Sequence, residues 1–168
     1  MQTIQGSGRA AGLRFAVVVS KYNDFVTDRL QAGALAALAA AGVSSNDVTI
    51  VRVPGAFEIP LAAQHTGETR RYDAVVCLGC LIRGETPHFE YISSAVAHGL
   101  TEAAAATGVP MAFGVLTTNS VEEALARAGE GVSNKGYEAA VAAIEMAQVV
   151  GQLTRARGSG GSRPTGPT

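Results

Sequence analysis

Four short apolar runs, Arg14 to Ser20, Asp47 to Val53, Tyr72 to Leu78 and Pro110 to Leu116, are nearly continuous and rich in β-branched residues. Strands buried on both faces read this way, whereas half-exposed strands alternate. Between the runs lie stretches of helical character: Phe25 to Ala41 before Gly42, Phe57 to Thr66 before Gly67, and Pro87 to Thr107 before Gly108. Each glycine stands where a left-handed residue closes a helix. Ser120, with Glu123 three residues on, predicts a capping box and a short helix ending near Gly129. A last helix is expected from about Lys135 to Leu153. Such alternation implies parallel strands joined by right-handed crossovers, with helices on both faces of the sheet. The predicted fold class is therefore α/β, a three-layer α/β/α sandwich with a flavodoxin-like, four-stranded parallel sheet and an N-terminal extension.

A chain of 168 residues suits one domain, expected over residues 14–153. Residues 1–13 form the extension, in which Thr3-Ile4-Gln5 has strand character; it is expected either to fray or to add a strand to a neighbouring subunit. Residues 154–168, rich in Gly, Ser, Arg and Pro, are expected to form a disordered tail. The 13 Lys and Arg are interspersed with 14 Asp and Glu, which leaves no footprint for nucleic acid or an anionic membrane surface. Phe15 to Val19 is too short for a signal core, and no apolar run approaches the ~20 residues of a spanning helix. Small molecules are the expected partners and the cytoplasm the expected location.

Cys77 and Cys80 have C-x-x-C spacing. A redox pair would place the first cysteine at a helix N-terminus, and a zinc site would require two further ligands at similar spacing. Neither condition is met, and residues three apart on a strand point to opposite faces. Structural cysteines and no metal are the expectation.

Ligands of open parallel sheets bind beyond the carboxyl ends of the strands, so the strand-to-helix connections hold the candidate site. These are Ser20 to Asp24, Pro54 to Glu58, Gly79 to His88 and Thr117 to Ser120. The third is the most informative. It exposes backbone amides around Gly84, with Thr86 the expected N-cap and Pro87 the expected first helical residue. Free amides at the positive end of a helix dipole suit an anion, phosphate in particular. His88 would stand beside that anion, and histidine is the side chain that exchanges protons near neutral pH. The same segment also reads as an ordinary helix start with a polar first-turn residue. His65 and His98 have structural readings on their helices. Arg127 is placed either to pair with Glu123 at i, i+4 or to clamp a phosphate. Glu58 either complements a helix dipole or accepts hydrogen bonds from a polyol. Lys135 and Glu138 read as a solvated pair.

The motifs Tyr22-Asn23-Asp24-Phe25, Pro54 to Pro60, Ile82 to Tyr91, Phe113 to Thr118 and Asn134-Lys135-Gly136, in this order, resemble the lumazine synthase family from about Arg14 to Val150. The resemblance implies the penultimate step of riboflavin biosynthesis. There 5-amino-6-(D-ribitylamino)uracil condenses with 3,4-dihydroxy-2-butanone 4-phosphate to give 6,7-dimethyl-8-ribityllumazine, water and phosphate, without a cofactor. It implies that Tyr22 stacks on the pyrimidine with Asn23 beside it. Ala56, Phe57 and Glu58 would hold the ribityl chain, and the backbone of Cys80, Leu81 and Ile82 would read the pyrimidine edge. Gly84, Glu85, Thr86 and Arg127 would bind phosphate, His88 would carry protons with Lys135 nearby, and Phe113 would reach in from a neighbouring subunit.

Two residues depart from the family pattern. Tyr22 stands where phenylalanine or tryptophan is more usual, and Glu85 lies inside the phosphate loop, so its carboxylate must point away from the anion. Family members form pentamers, some of which build icosahedral shells. The short Gly129 to Asn134 connection and the N-terminal extension imply the shell, with riboflavin synthase a candidate partner. Competing readings are an archaeal-type riboflavin synthase, and a flavin- or lumazine-binding or cage protein without turnover.

Overall fold

The computed structural model describes residues 1–159. Strands β1 (Phe15–Ser20), β2 (Val48–Val53), β3 (Ala74–Ile82) and β4 (Met111–Thr118) alternate with α1 (Asp24–Ala40), α2 (Ile59–Glu68) and α3 (His88–Thr107), followed by α4 (Val121–Arg127) and α5 (Lys135–Ser159). The strands are parallel in the order β2-β1-β3-β4, so the chain reverses its winding between β1 and β3. One face of the sheet packs Phe15, Val17, Val19, Val76 and Leu78 under α1 and α5. The other packs Ala16, Val18, Val75 and Cys77 under α2 and α3. This is the predicted three-layer α/β/α sandwich.

The helices pack by one face each. On α1 the buried Val26, Leu30, Ala34 and Leu38 recur every four residues, which makes a single apolar stripe. On α5 the facing residues Ala139, Ala140, Ala143 and Ala147 are small, so α1 and α5 lie close. Gly136 marks the closest approach, since a Cβ there would stand 2.0 Å from the Leu30 carbonyl oxygen. Asn134 fixes the turn into α5. Its Nδ2 donates to the Arg29 and Gly129 carbonyls, while its Oδ1 accepts from the amides of Gly136 and Tyr137.

Several elements differ from the sequence reading. β3 runs on through Gly79 to Ile82, paired to Thr118 of β4. The glycine that disguised this continuation serves packing, because a Cβ there would be 2.9 Å from Ile59 Cδ1. β2 is an edge strand rather than one buried on both faces, and Ile50 is 42% exposed. Gly42 and Gly108 take the expected left-handed conformation, but Gly67 lies inside α2, packed towards Thr107 and Met111. The left-handed residue after α2 is Arg70. Residues 56–58 form a 3-10 turn before α2 rather than its first turn.

At the chain ends, α5 passes the expected limit at Leu153 and continues to Ser159; the rest of the expected tail lies outside the described residues. Thr3-Ile4-Gln5 forms no strand in the single chain. The extension instead lies along α5, with Ser7 N donating to Gln148 Oε1 and Gln152 Nε2 donating to the Gln5 carbonyl. Among the described residues no helix is long and apolar enough to cross a membrane.

Candidate functional site

A cleft of about 810 Å³ opens at the carboxyl ends of β1, β2 and β3. It sits where the winding reverses, the usual ligand position in an open α/β sheet. Tyr22, Asn23, Ala56, Phe57, Glu58, Leu81, Ile82, Gly84, Thr86 and His88 all line it.

Each connection is held by a specific bond. Asn23 is left-handed (φ 61°, ψ 45°), a conformation that asparagine adopts more readily than most side chains. Its side chain does not cap α1; its Nδ2 donates to the Cys80 carbonyl at 2.9 Å, tying the β1–α1 turn to the end of β3. That carbonyl thus already accepts one hydrogen bond. Gly55 N donates to Glu58 Oε2 at 2.9 Å, which braces the turn through Ala56 and Phe57. A carboxylate keeps a second oxygen to accept from a hydroxyl.

The Gly84 to His88 connection stands in solvent, and a Cβ at Gly84 would meet nothing within 4 Å. α3 begins at His88, one residue later than predicted, and Pro87 rather than Thr86 occupies the N-cap. At ψ 7° Pro87 is not yet helical, and having no N–H it leaves no donor unsatisfied there. No side chain caps α3, and by helix geometry its first-turn amides lack intrahelical acceptors. The Thr86 hydroxyl is therefore not spent on capping. The site is an uncapped helix N-terminus with a hydroxyl and an imidazole beside it, an arrangement suited to holding an oxyanion and moving a proton next to it.

Five predicted site residues do not line this cleft: Cys80, Glu85, Phe113, Arg127 and Lys135. Phe113, Arg127 and Lys135 line a separate cleft of about 370 Å³ between β4 and α5, and no residue lines both clefts. The Arg127–Glu123 ion pair does not form. Arg127 Nη1 donates to the Glu123 carbonyl at 3.0 Å, while the Glu123 carboxylate accepts from Asn119 N, one residue before the Ser120 N-cap. Lys135 Nζ meets Glu138 Oε2 at 2.8 Å. Phe113 is 49% exposed on the edge strand β4. Glu85 is exposed in the loop but lines neither cleft.

Besides Gly55 and Phe89, three lining residues on α3 had no assigned part, namely Tyr91, Ile92 and Ala95. They follow His88 at i+3, i+4 and i+7, which places all four on one helix face. That spacing was the signal available for finding them.

Cys77 and Cys80 sit in the cores on opposite sheet faces, as their spacing predicted. Burial pushes the Cys77 thiol up to about 12 and that of Cys80 up to about 11, because a buried thiolate loses its hydration. Both start from 9.0, so the stability linked to them is complete below pH 9 and is lost as the pH rises through 11 to 12. At pH 8 iodoacetamide should leave both thiols of the folded protein intact and alkylate both after denaturation. A native-state adduct seen by mass spectrometry would contradict the buried assignment.

The family model for 6,7-dimethyl-8-ribityllumazine synthase matches residues 12–151 of this chain. A 6,7-dimethyl-8-ribityllumazine synthase of Syntrophus aciditrophicus (strain SB) is 50% identical over 144 residues, covering 86% of this chain and 94% of that protein.

Proposed function

Because this chain belongs to the 6,7-dimethyl-8-ribityllumazine synthase family, we propose that its two clefts are the halves of one active site, joined between neighbouring copies. The enzyme is a transferase of riboflavin biosynthesis, and condenses 5-amino-6-(D-ribitylamino)uracil with 3,4-dihydroxy-2-butanone 4-phosphate. The observation that carries the shared site is the separation of the anion-binding turn at Gly84 to His88 from the cations Arg127 and Lys135. Within one chain no residue lines both clefts, so in this reading a phosphate meets both sets across a contact between copies.

In this reading Tyr22 stacks on the pyrimidine, and the turn from Ala56 to Glu58 receives the ribityl hydroxyls. The backbone from Cys80 to Ile82 reads the pyrimidine edge. Amides of Gly84, Glu85 and Thr86 take the phosphate from one side. Arg127 of a neighbour takes it from the other, with that neighbour's Phe113 closing over the reactants. The primary amine attacks the ketone and water leaves to form an imine. Phosphate then departs by elimination, and the second nitrogen closes the ring with loss of water. His88 moves protons in these steps, with Lys135 close by. The site works largely by holding two reactants in register, the effect that contributes most when a reaction joins two molecules.

Exposed apolar residues at both clefts support assembly: Tyr22, Phe57 and Tyr91 at one, Phe113 at the other. Grouped aromatic surface of this kind is normally covered by a partner. The bare edge of β2 offers unpaired ladder positions to a strand such as Thr3-Ile4-Gln5 of a neighbour. A cyclic pentamer that builds further into an icosahedral shell fits the short turn from Gly129 to Asn134. A cytoplasmic enzyme of this form could enclose riboflavin synthase. Light scattering should give a particle much heavier than a pentamer; a pentamer alone would rule out the shell.

A further inference from the structure

Arg83 opens the anion-binding turn but lines neither cleft. Its backbone N donates to the Thr118 carbonyl at 2.8 Å, the last rung between β3 and β4. Its side chain makes three further contacts. Nε donates to Asn119 Oδ1 at 2.9 Å, Nη1 meets the Glu90 carboxylate, and the guanidinium lies 4.5 Å from the centre of the Phe89 ring. One planar group thus joins the end of β3, the first turn of α3 and the turn entering α4.

The segment it spans has little other support. Residues 84–88 are exposed, Gly84 has open space around it, and α3 starts without a side-chain cap. Amides bind an oxyanion well only if they are already aimed at it, since ordering a loose loop subtracts from affinity. We propose that Arg83 is a positioning residue, a strut that fixes the turn from Gly84 to Thr86 against α3 and so aims its amides at the phosphate of the substrate. The inference rests on the phosphate assignment made above. It differs from a direct role for the Arg83 charge, because the guanidinium faces Glu90, Asn119 and the Phe89 ring and lines neither cleft.

The two roles predict opposite signs for Glu90→Ala. Removing an anion near a phosphate site should tighten phosphate binding if charge alone matters, whereas removing an anchor of the strut should weaken it. The test measures kcat, KM for each substrate, inhibition by inorganic phosphate and the melting temperature for Arg83→Gln, Arg83→Lys, Glu90→Ala and Asn119→Ala. Arg83→Gln should raise KM for the butanone phosphate about tenfold with the pyrimidine KM within about twofold, as expected when binding in one subsite is lost. Glu90→Ala and the uncharged Asn119→Ala should raise it about threefold each, with a matching loss of phosphate inhibition. Arg83→Lys should not restore it, because an ammonium cannot present the guanidinium fork to both anchors. Tighter phosphate inhibition in Glu90→Ala, full rescue by lysine, or losses explained by a lowered melting temperature would overturn the proposal. Absence of phosphate inhibition in the unmodified enzyme would instead remove the phosphate assignment beneath it.

Discussion

Arg127→Ala should raise KM for the butanone phosphate roughly 100-fold and leave KM for the pyrimidine within about threefold. Truncating one partner of a desolvated charge pair costs ~2–5 kcal/mol, and each ~1.4 kcal/mol is a factor of ten, so the lower half of that range gives this effect. Arg127 is well placed for the task. It ends α4, whose start is secured by the Ser120 hydroxyl and the Glu123 carboxylate. Its guanidinium is anchored through Nη1 to a backbone carbonyl of its own helix, and among the described residues no carboxylate pairs with it. Steady-state kinetics with each substrate varied in turn read the split. Equal losses for both substrates would contradict the phosphate role.

His88→Ala should lower kcat about 100-fold with both KM values within about threefold. Positioned acid–base groups contribute roughly 10²- to 10⁴-fold, and the lower end is expected where holding the reactants together does most of the work. Among the described residues the His88 imidazole makes no hydrogen bond or ion pair that would brace the turn, and α3 starts without a side-chain cap. The variant should therefore bind both substrates and turn them over slowly. A rise in KM with unchanged kcat would make His88 a binding residue instead.

The layered fold was legible because buried parallel strands leave unbroken β-branched runs, and β1 and β3 lie in the middle of the sheet. Where packing between distant segments decided the structure, the sequence misled. Gly79 looked like the end of a strand but is there to admit Ile59, and Gly67 looked like a helix end but admits Thr107 and Met111. The edge position of β2 depends on strand order, which no local pattern carries. The start of α3 was misplaced by one residue, since Thr86-Pro87 satisfies the rules for an N-cap and first helical residue equally well when moved along.

The site divides in the same way. The anion-binding turn with His88 could be read locally, from glycine, hydroxyl and helix start in sequence. That Phe113, Arg127 and Lys135 share a second cleft could not be read locally, because β4, α4 and α5 come together only through the topology. Nor could the sequence reveal that the Asn23 amide is occupied by the Cys80 carbonyl, or that Arg83 is pinned between Asn119 and Glu90.

The shared site is tested most directly by mixing its halves. His88→Ala damages the half on α3, and Arg127→Ala damages the half that a neighbour supplies. Co-expressed at equal levels below saturating substrate, the two variants should regain about a quarter of the unmodified activity, because random assembly in a closed ring leaves that share of interfaces with both halves intact. Each variant assembled alone should stay near its own low rate. If the co-assembled particle shows only the average of the two variants, each chain carries a complete site and the shared-site account is wrong.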